Sequence, residues 1–153
     1  MGSGATSRVL LVDEDARSSE EISIKLMSQR IDVVWARTGA EALQWVSEQP
    51  FDVALVEVSL SDTSGVDLIR LLNERAPALL PILIASRPSL ESAVAAVRVG
   101  AFDYLLKPVD DVRLVQVVRE AVRAKRVIDA HGLELAREDT ETTEPAEPTA
   151  AAS

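Results

Sequence analysis

Acidic, hydroxyl and cationic side chains follow several short apolar runs of this sequence directly. They are Asp13, Glu14 and Asp15 after the first run, then Glu57, Ser86 and Lys107 after later runs. Clustered carboxylates repel one another unless a cation or a shifted pKa compensates, and a hard, oxygen-liganded ion such as Mg²⁺ is the natural candidate. A nearby lysine would neutralise one carboxylate or bind a phosphoryl oxygen. Taken singly, each acid is better explained as a solvated loop residue, but the recurrence of such residues at four predicted strand ends favours a site.

Composition excludes several other chemistries. The 153 residues include no cysteine and a single histidine, His131, which excludes thiol catalysis, disulfides and cysteine-ligated metal centres. The formal charge of −9 disfavours a nucleic-acid binder, because phosphates are held by clustered Lys and Arg. No apolar run approaches the roughly 18 residues of a membrane span, and residues 1–7 do not resemble a signal peptide. We therefore expect a cytoplasmic protein without nucleic-acid or membrane partners.

Short apolar runs alternate with segments of helical periodicity along the chain. The runs cover residues 9–12, 33–35, 53–58, 82–85 and 102–106. A strand followed by a helix, repeated five times, predicts an α/β fold with a doubly wound parallel sheet that is covered on both faces. The carboxyl ends of parallel strands meet at one edge of the sheet, so we expect the polar residues there to converge.

Cap residues and apolar spacing predict how the helices begin, end and face the sheet. Thr38 with Glu41 predicts a capping box for the second helix, and Ser89 is placed to cap the fourth. Gly100 is placed to end that helix in a left-handed conformation. The spacing of the fourth helix predicts an inner face of Ala93, Val94 and Val97.

The predicted folded unit spans residues 8–128, after a short disordered segment at 1–7. Residues 129–153 hold seven acidic residues against one arginine, and from about Glu138 the chain consists largely of Glu, Thr, Pro and Ala. Such a segment buries too little apolar surface to offset its ordering entropy. We expect 129–153 to be an acidic, mostly disordered tail.

Five blocks occur in a fixed order along the chain: Val12-Asp13-Glu14-Asp15, Phe51-Asp52 to Glu57, Ser64-Gly65, Ser86 and the run from Gly100 to Pro108. In these blocks and in their spacing, over about residues 8–126, the sequence resembles the receiver domain of two-component response regulators. The resemblance implies a flavodoxin-like (βα)5 sandwich with strand order 2-1-3-4-5. In that family an acidic pair binds Mg²⁺ and an aspartate accepts a phosphoryl group from a histidine kinase. A Ser or Thr and a lysine then contact that group.

The resemblance assigns a role to each matching position of this chain. It makes Asp13 and Glu14 the acidic pair, Ser86 the hydroxyl and Lys107 the phosphoryl contact. The implied Mg²⁺ ligands are Asp13, Glu14 and Glu57, the last at the phosphoacceptor position.

Two aromatic residues of the predicted strands, Tyr104 and Trp35, are interpreted separately. Tyr104 falls where the family has an aromatic switch, although a tyrosine late in a buried strand also serves simply as packing. Trp35 is expected to be a packing residue far from the site. The Lys107-Pro108 bond matches the family's cis peptide.

Glu57 stands where the family has its phosphoacceptor aspartate. The additional methylene displaces the carboxylate by roughly 1.5 Å, one carbon–carbon bond. A misplacement of about 1 Å can cost on the order of 10²-fold in a positioned reaction, so we expect phosphorylation to be slow or absent. Arg87 follows the hydroxyl, where the family usually has a small residue. We hypothesise that Arg87 reaches over the pocket, pairs with Glu57 and blocks it.

These observations favour a stand-alone signalling module, not an enzyme, that acts through protein–protein interaction without phosphorylation. Whether Glu57 mimics the active state or is inert stays open. The alternative is a receiver that accepts a phosphoryl group at Glu57 or a neighbouring acid in a His-Asp phosphorelay. A flavin or small-ligand binder of similar fold is disfavoured, because no Gly-rich phosphate loop follows the first strand.

The resemblance also implies a surface for partners, which covers residues 89–126. Its charges are of both signs, which permits self-complementary pairing of two copies about a two-fold axis. We therefore expect a histidine kinase or an effector protein to bind there, or a homodimer to form. No DNA-binding, ATPase or cyclase sequence follows the unit, so the effector is expected to be another polypeptide or the partner subunit.

Overall fold

A computed structural model describes the backbone of residues 6–141 and the side chains of residues 6–131. Strands and helices alternate in the order β1 (Arg8–Val12), α1 (Ala16–Met27), β2 (Asp32–Ala36), α2 (Gly39–Glu48), β3 (Val53–Glu57), α3 (Gly65–Arg75), β4 (Leu80–Ala85), α4 (Leu90–Val99), β5 (Asp103–Leu106) and α5 (Asp111–Glu141). The strands form one parallel sheet in the order β2-β1-β3-β4-β5. The predicted flavodoxin-like fold and strand order are confirmed.

The core consists of two apolar layers, one on each face of the sheet. Val9 and Leu11 pack in the layer that includes residues of α1 and α5, whereas Leu10 and Val12 pack in the layer formed with α2, α3 and α4. Successive strand side chains point to opposite faces, so a strand covered on both sides must be apolar at every position. This is why β1 appears in the sequence as an uninterrupted apolar run.

The predicted caps form, with one change of partner. Thr38 accepts a hydrogen bond from the Glu41 backbone N–H at 3.1 Å, while the Glu41 carboxylate accepts from the Arg37 N–H at 2.9 Å. The reciprocal bond of the capping box therefore reaches one residue further back than predicted. Ser89 caps α4, and Gly100 ends it with φ of +80°.

The inner face of α4 differs from the prediction. Ser92, Ala96 and Val99 are buried, whereas Val94 is 40% exposed and Val97 is 79% exposed. Six of the ten positions of this helix are Ala or Val, and they are spread around it, so apolar spacing does not distinguish one face from another. Ser92 lies on the buried face, where its hydroxyl has hydrogen-bond partners in Ser89 and Tyr104.

The last helix extends beyond the predicted folded unit and includes the backbone of residues 129–141, where the sequence predicts a mostly disordered tail. α5 continues to Glu141 because this stretch is rich in good helix formers and its next proline is Pro145. Lys125 also pairs with Asp129 one turn later, at 2.8 Å. The remainder of the predicted tail, 142–153, and residues 1–5 lie outside the described residues. None of the helices within 6–141 is both long and apolar enough to cross a membrane.

Candidate functional site

Three charged residues predicted to converge meet at the carboxyl edge of the sheet. Asp13 follows β1 and Glu57 ends β3, and each is only 3% exposed. Lys107 follows β5, and its ammonium lies 2.5 Å from Asp13 Oδ2 and 3.1 Å from Glu57 Oε1. One cation, from the end of β5, therefore bridges two buried carboxylates that lie at the ends of the adjacent strands β1 and β3.

The ammonium is held in its charged form by these neighbours. Burial by itself lowers the pKa of Lys107, but the hydrogen bond to Asp13 and the charge attraction from Asp13 and Glu57 outweigh it and raise the pKa above the usual value. Glu57 Oε1 makes no directed hydrogen bond within the described part of the chain, so its contact with the ammonium is ionic. Two carboxylates share one ammonium, which leaves the group with a net negative charge.

The second carboxylate oxygen of Glu57 reaches the loops after β3 and β4. Oε2 accepts a hydrogen bond from the Ser59 N–H at 3.2 Å and a weaker one from the Ser86 N–H at 3.4 Å. Ser86 thus meets Glu57 through its backbone, and within residues 6–131 its hydroxyl has no hydrogen-bond partner. The Glu57 side chain consequently links the ends of three strands, β3, β4 and β5.

The other acids of the first loop have separate partners. Glu14 is exposed and accepts a hydrogen bond from the Ser61 N–H at 2.6 Å. Asp15 caps α1 by accepting from the N–H groups of Arg17 and Ser18. The acidic run therefore divides into one pocket residue, one loop contact and one helix cap.

This arrangement does not fit the Mg²⁺ site expected at Asp13, Glu14 and Glu57. The Lys107 ammonium lies between two of the three carboxylates, and the third is bound to the loop backbone. Among the side chains of residues 6–131, no group of three His, Asp or Glu residues is arranged to hold a metal ion. No chemical step is therefore assigned to a metal here.

Asp62 holds the β3–α3 loop in place, and sequence reasoning missed it. Its two carboxylate oxygens accept from the N–H groups of Gly39 and Ala40, each at 3.0 Å. These two hydrogen bonds lower the pKa of Asp62, and the bond from Gly39 has the larger effect. Because the contact caps α2 from a loop more than 20 residues later, no local signal in the sequence announces it.

Trp35 is not remote from the site, contrary to the prediction. Its indole Nε1 donates a hydrogen bond of 2.7 Å to the carbonyl oxygen of Asp13. The Arg37 guanidinium lies over the ring, 4.7 Å from the centroid, within the range of a cation–π contact. Trp35 therefore positions the backbone of the first loop.

Arg87 does not block the pocket as hypothesised. Its side chain is exposed, and Glu57 is paired with Lys107 instead. The ammonium on the adjacent strand end already supplies the positive charge that Glu57 needs, which removes the electrostatic reason for Arg87 to fold inward.

Tyr104 is half-buried on β5, with its hydroxyl 2.5 Å from Ser92 Oγ on α4. The tyrosine therefore has a polar partner within the protein, and it combines ring packing with a specific contact to the helix. The bond between Lys107 and Pro108 is cis, as predicted.

Comparison with known proteins supports the same picture. The family described as response regulator receiver domain matches residues 9–119. The response regulator protein PilR of Pseudomonas aeruginosa is 36% identical over 118 residues, which cover 77% of this chain and 26% of PilR. The transcriptional regulatory protein ZraR of Escherichia coli K12 is 31% identical over 122 residues, 80% of this chain and 28% of ZraR. This chain thus spans about a quarter of the length of these relatives.

A solved structure is similar as well. The CheY-like response regulator receiver domain protein from Methanospirillum hungatei JF-1 superposes with a TM-score of 0.76 at 26% identity, over 80% of this chain and 98% of that one.

Proposed function

Because this chain belongs to the response regulator receiver domain family, we propose that it is a receiver whose signalling state does not depend on phosphorylation. Receiver domains are signalling modules. This one acts by binding other proteins, and it is not an enzyme. The observation that carries the proposal is that the Glu57 carboxylate contacts the Lys107 ammonium and the Ser86 N–H at once.

Lys107 and Ser86 are the residues that the family resemblance assigns as contacts of the phosphoryl group, although Ser86 meets Glu57 through its backbone N–H and not through its hydroxyl. A phosphoryl group carries close to two negative charges and three acceptor oxygens, whereas Glu57 supplies one charge and two oxygens. The longer glutamate side chain compensates in reach, since Oε1 and Oε2 extend to the ends of β5 and β4. Glu57 therefore holds these strand ends in one arrangement without a covalent modification.

The test is intact mass after incubation with acetyl phosphate and Mg²⁺. We expect the wild type to remain unmodified and the Glu57→Asp variant to gain one phosphoryl group, because the shorter side chain restores the family's acceptor. Glu57→Gln serves as the matched control and should remain unmodified. A phosphoryl group on Glu57 of the wild type would overturn the proposal.

The second candidate function is phosphoryl acceptance at Glu57 or a neighbouring acid in a His-Asp phosphorelay. The observation that favours it is that Glu57 Oε1 has no directed hydrogen bond among the described residues, which leaves a lone pair for attack on a phosphorus atom. Mapping the modified residue by peptide mass separates acceptance at Glu57 from acceptance at Asp13 or Glu14.

We place the contact with partner proteins on residues 89–126. Apolar side chains are exposed there on three successive elements, at Leu90 and Val97 of α4, Leu106 of β5 and Val112 of α5. An ion pair of 3.2 Å between Arg113 and Asp103 lies beside them. Exposed apolar side chains rimmed by charges are typical of a protein-binding surface.

Sedimentation equilibrium distinguishes a second copy from another protein as the partner. If the face pairs with itself, the wild type is dimeric and Val97→Lys is monomeric. Ile24→Lys, which changes an exposed residue of α1, is the matched control and should remain dimeric. A wild type that is monomeric at all concentrations leaves a histidine kinase or an effector as the partner.

A further inference from the structure

Two serine hydroxyls close the amino-terminal end of α4. Ser89 Oγ accepts from the Ser92 N–H at 3.0 Å, and Ser92 Oγ accepts from the Ser89 N–H at 3.3 Å. This is a reciprocal capping box, but its third helical position holds a serine where glutamate or glutamine is typical. The serine is short, so its hydroxyl stays close to the helix and faces the sheet.

Ser92 also has a partner outside the helix. Its Oγ lies 2.5 Å from the hydroxyl of Tyr104 on β5 and 3.1 Å from the Ser89 carbonyl oxygen. A hydroxyl offers one donor and two acceptor sites, so Ser92 can serve the cap and the tyrosine together. Ser92 is only 9% exposed, and an unpaired hydroxyl there would carry a desolvation cost.

We propose that the Ser92 hydroxyl couples Tyr104 to α4, so that the tyrosine hydroxyl, and not only its ring, holds the first turn of this helix in position. The coupling is inferred from the contact between the two hydroxyls and does not depend on the proposed role of Glu57. Tyr104 is then a positioning residue for α4, and Ser92 is the point at which the strand and the helix meet.

The coupling determines which side of α4 faces solvent. Burial of Ser92 places the exposed side chains Leu90 and Val97 on the solvent side of the same helix. Ser86, which bonds to Glu57, lies only three residues before Ser89. A short segment therefore connects the pocket to the cap, and the Tyr104 bond ties the cap to β5.

The decisive experiment is native-state hydrogen exchange of the Ser92 and Ala93 amides in the full chain. Both amides bond to Ser89, one to its hydroxyl and one to its carbonyl oxygen. Tyr104→Phe removes the phenol oxygen and leaves every atom of α4 intact. We expect exchange at both amides to accelerate by about 2- to 12-fold, the effect of one net hydrogen bond. Unchanged exchange at these amides in Tyr104→Phe would overturn the proposal.

Further variants separate coupling from a general loss of stability. Ser92→Ala should accelerate the same amides, and the double variant should be no faster than the faster single variant, because both changes remove one shared bond. Strictly additive effects would contradict a shared bond. Ser47→Ala, which removes a hydroxyl bond within α2, is the matched control and should leave α4 unchanged.

The ring resonances of Tyr104 provide a second test of the coupling. Tyr104 is the single tyrosine of the chain, so a ¹³C-tyrosine label yields one set of ring resonances. Ser92→Ala should shift these resonances, since the hydroxyl loses its partner, whereas Ser47→Ala should not. Ring resonances of Ser92→Ala that coincide with those of the wild type would contradict the coupling.

Discussion

Lys107 and Asp13, which lie 94 residues apart in the sequence, form an ion pair of 2.5 Å at the carboxyl edge of the sheet. The pair connects the ends of β5 and β1, between which β3 and β4 are inserted. Glu57 of β3 contacts the same ammonium. The charge of Lys107 therefore joins the end of β5 to the ends of β1 and β3, and the stability of the fold should depend on it.

Replacing Lys107 with methionine should strongly destabilise the fold. The variant keeps the apolar stem but leaves two buried carboxylates without their cation, a change that costs about 3–5 kcal/mol of the free energy of unfolding. Urea denaturation at neutral pH measures this. Arg113→Met, which removes an exposed pair with Asp103, is the control and should cost less than about 1 kcal/mol. Equal losses in the two variants would contradict a buried bridge.

Stability should also fall at alkaline pH. Because the pKa of Lys107 is raised in the folded protein, its contribution is complete below the ordinary lysine pKa of 10.5 and is lost as pH rises through the higher folded value. The pKa of Lys125 is also raised, chiefly by its hydrogen bond to Asp129, so its contribution to stability is likewise lost at alkaline pH. Urea titrations at increasing pH should therefore show a steeper loss of unfolding free energy for the wild type than for Lys107→Met. In that variant, Lys125 is the one remaining lysine with a raised pKa among the described residues. Parallel profiles would exclude the Lys107 contribution.

Asp62 should stabilise the protein as a helix cap supplied by a distant loop. Asp62→Ala is expected to cost about 0.5–2 kcal/mol, and Asp62→Asn less, because the amide keeps one acceptor. Its lowered pKa means that this contribution is present above the ordinary aspartate pKa and is lost as pH falls through the lower folded value. Urea unfolding at neutral and acidic pH tests both statements. The matched control is Asp32→Ala, an exposed aspartate whose carboxylate has no hydrogen-bond partner within residues 6–131; an equal loss there would argue against the cap.

Gly65→Ala should destabilise the protein through a clash with the backbone of Glu57. A Cβ at Gly65 would lie 2.3 Å from the carbonyl oxygen of Glu57, and this backbone atom cannot move aside without displacing β3. Overpacking of this kind costs about 1–3 kcal/mol. Gly39→Ala is the control, since its Cβ would meet the Thr63 methyl at 2.7 Å, a side chain that can shift. Thermal unfolding should show the larger decrease in Tm for Gly65→Ala, and the reverse order would be inconsistent with the packing.

Millimolar Mg²⁺ should leave the wild type unchanged, because the Lys107 ammonium lies between Asp13 and Glu57. Trp35 reports on this region through its hydrogen bond to Asp13, and a Trp45→Phe background isolates its fluorescence. We expect no saturable change in the wild-type pocket and a saturable change in Lys107→Met, where the carboxylates lack a cation. Saturation in the wild-type pocket would restore the metal site expected from the family.

Much of the fold could be predicted because its signals are local. Five apolar runs separated by helical periodicity determine a parallel α/β sheet, since strands buried on both faces must be apolar throughout. The caps at Thr38, Ser89 and Gly100 follow from the same short-range chemistry of backbone N–H and C=O groups. Asp13, Glu57 and Lys107 could be placed together because parallel strands bring their carboxyl ends to one edge.

The partners of those residues were decided only by the tertiary structure. Glu14 binds the Ser61 N–H, Asp62 caps α2, and Trp35 reaches the carbonyl oxygen of Asp13. Each contact joins segments that are distant in the sequence, so neither spacing nor propensity contains it. The buried face of α4 belongs to the same class, because Ala and Val occupy six of its ten positions without marking one face, and only the packed structure places Ser92 against Tyr104. The sequence by itself determined which elements form and which ends meet, through local periodicity and capping. The competition of each side chain for a hydrogen-bond partner or a counter-charge was resolved only when the strands and helices packed.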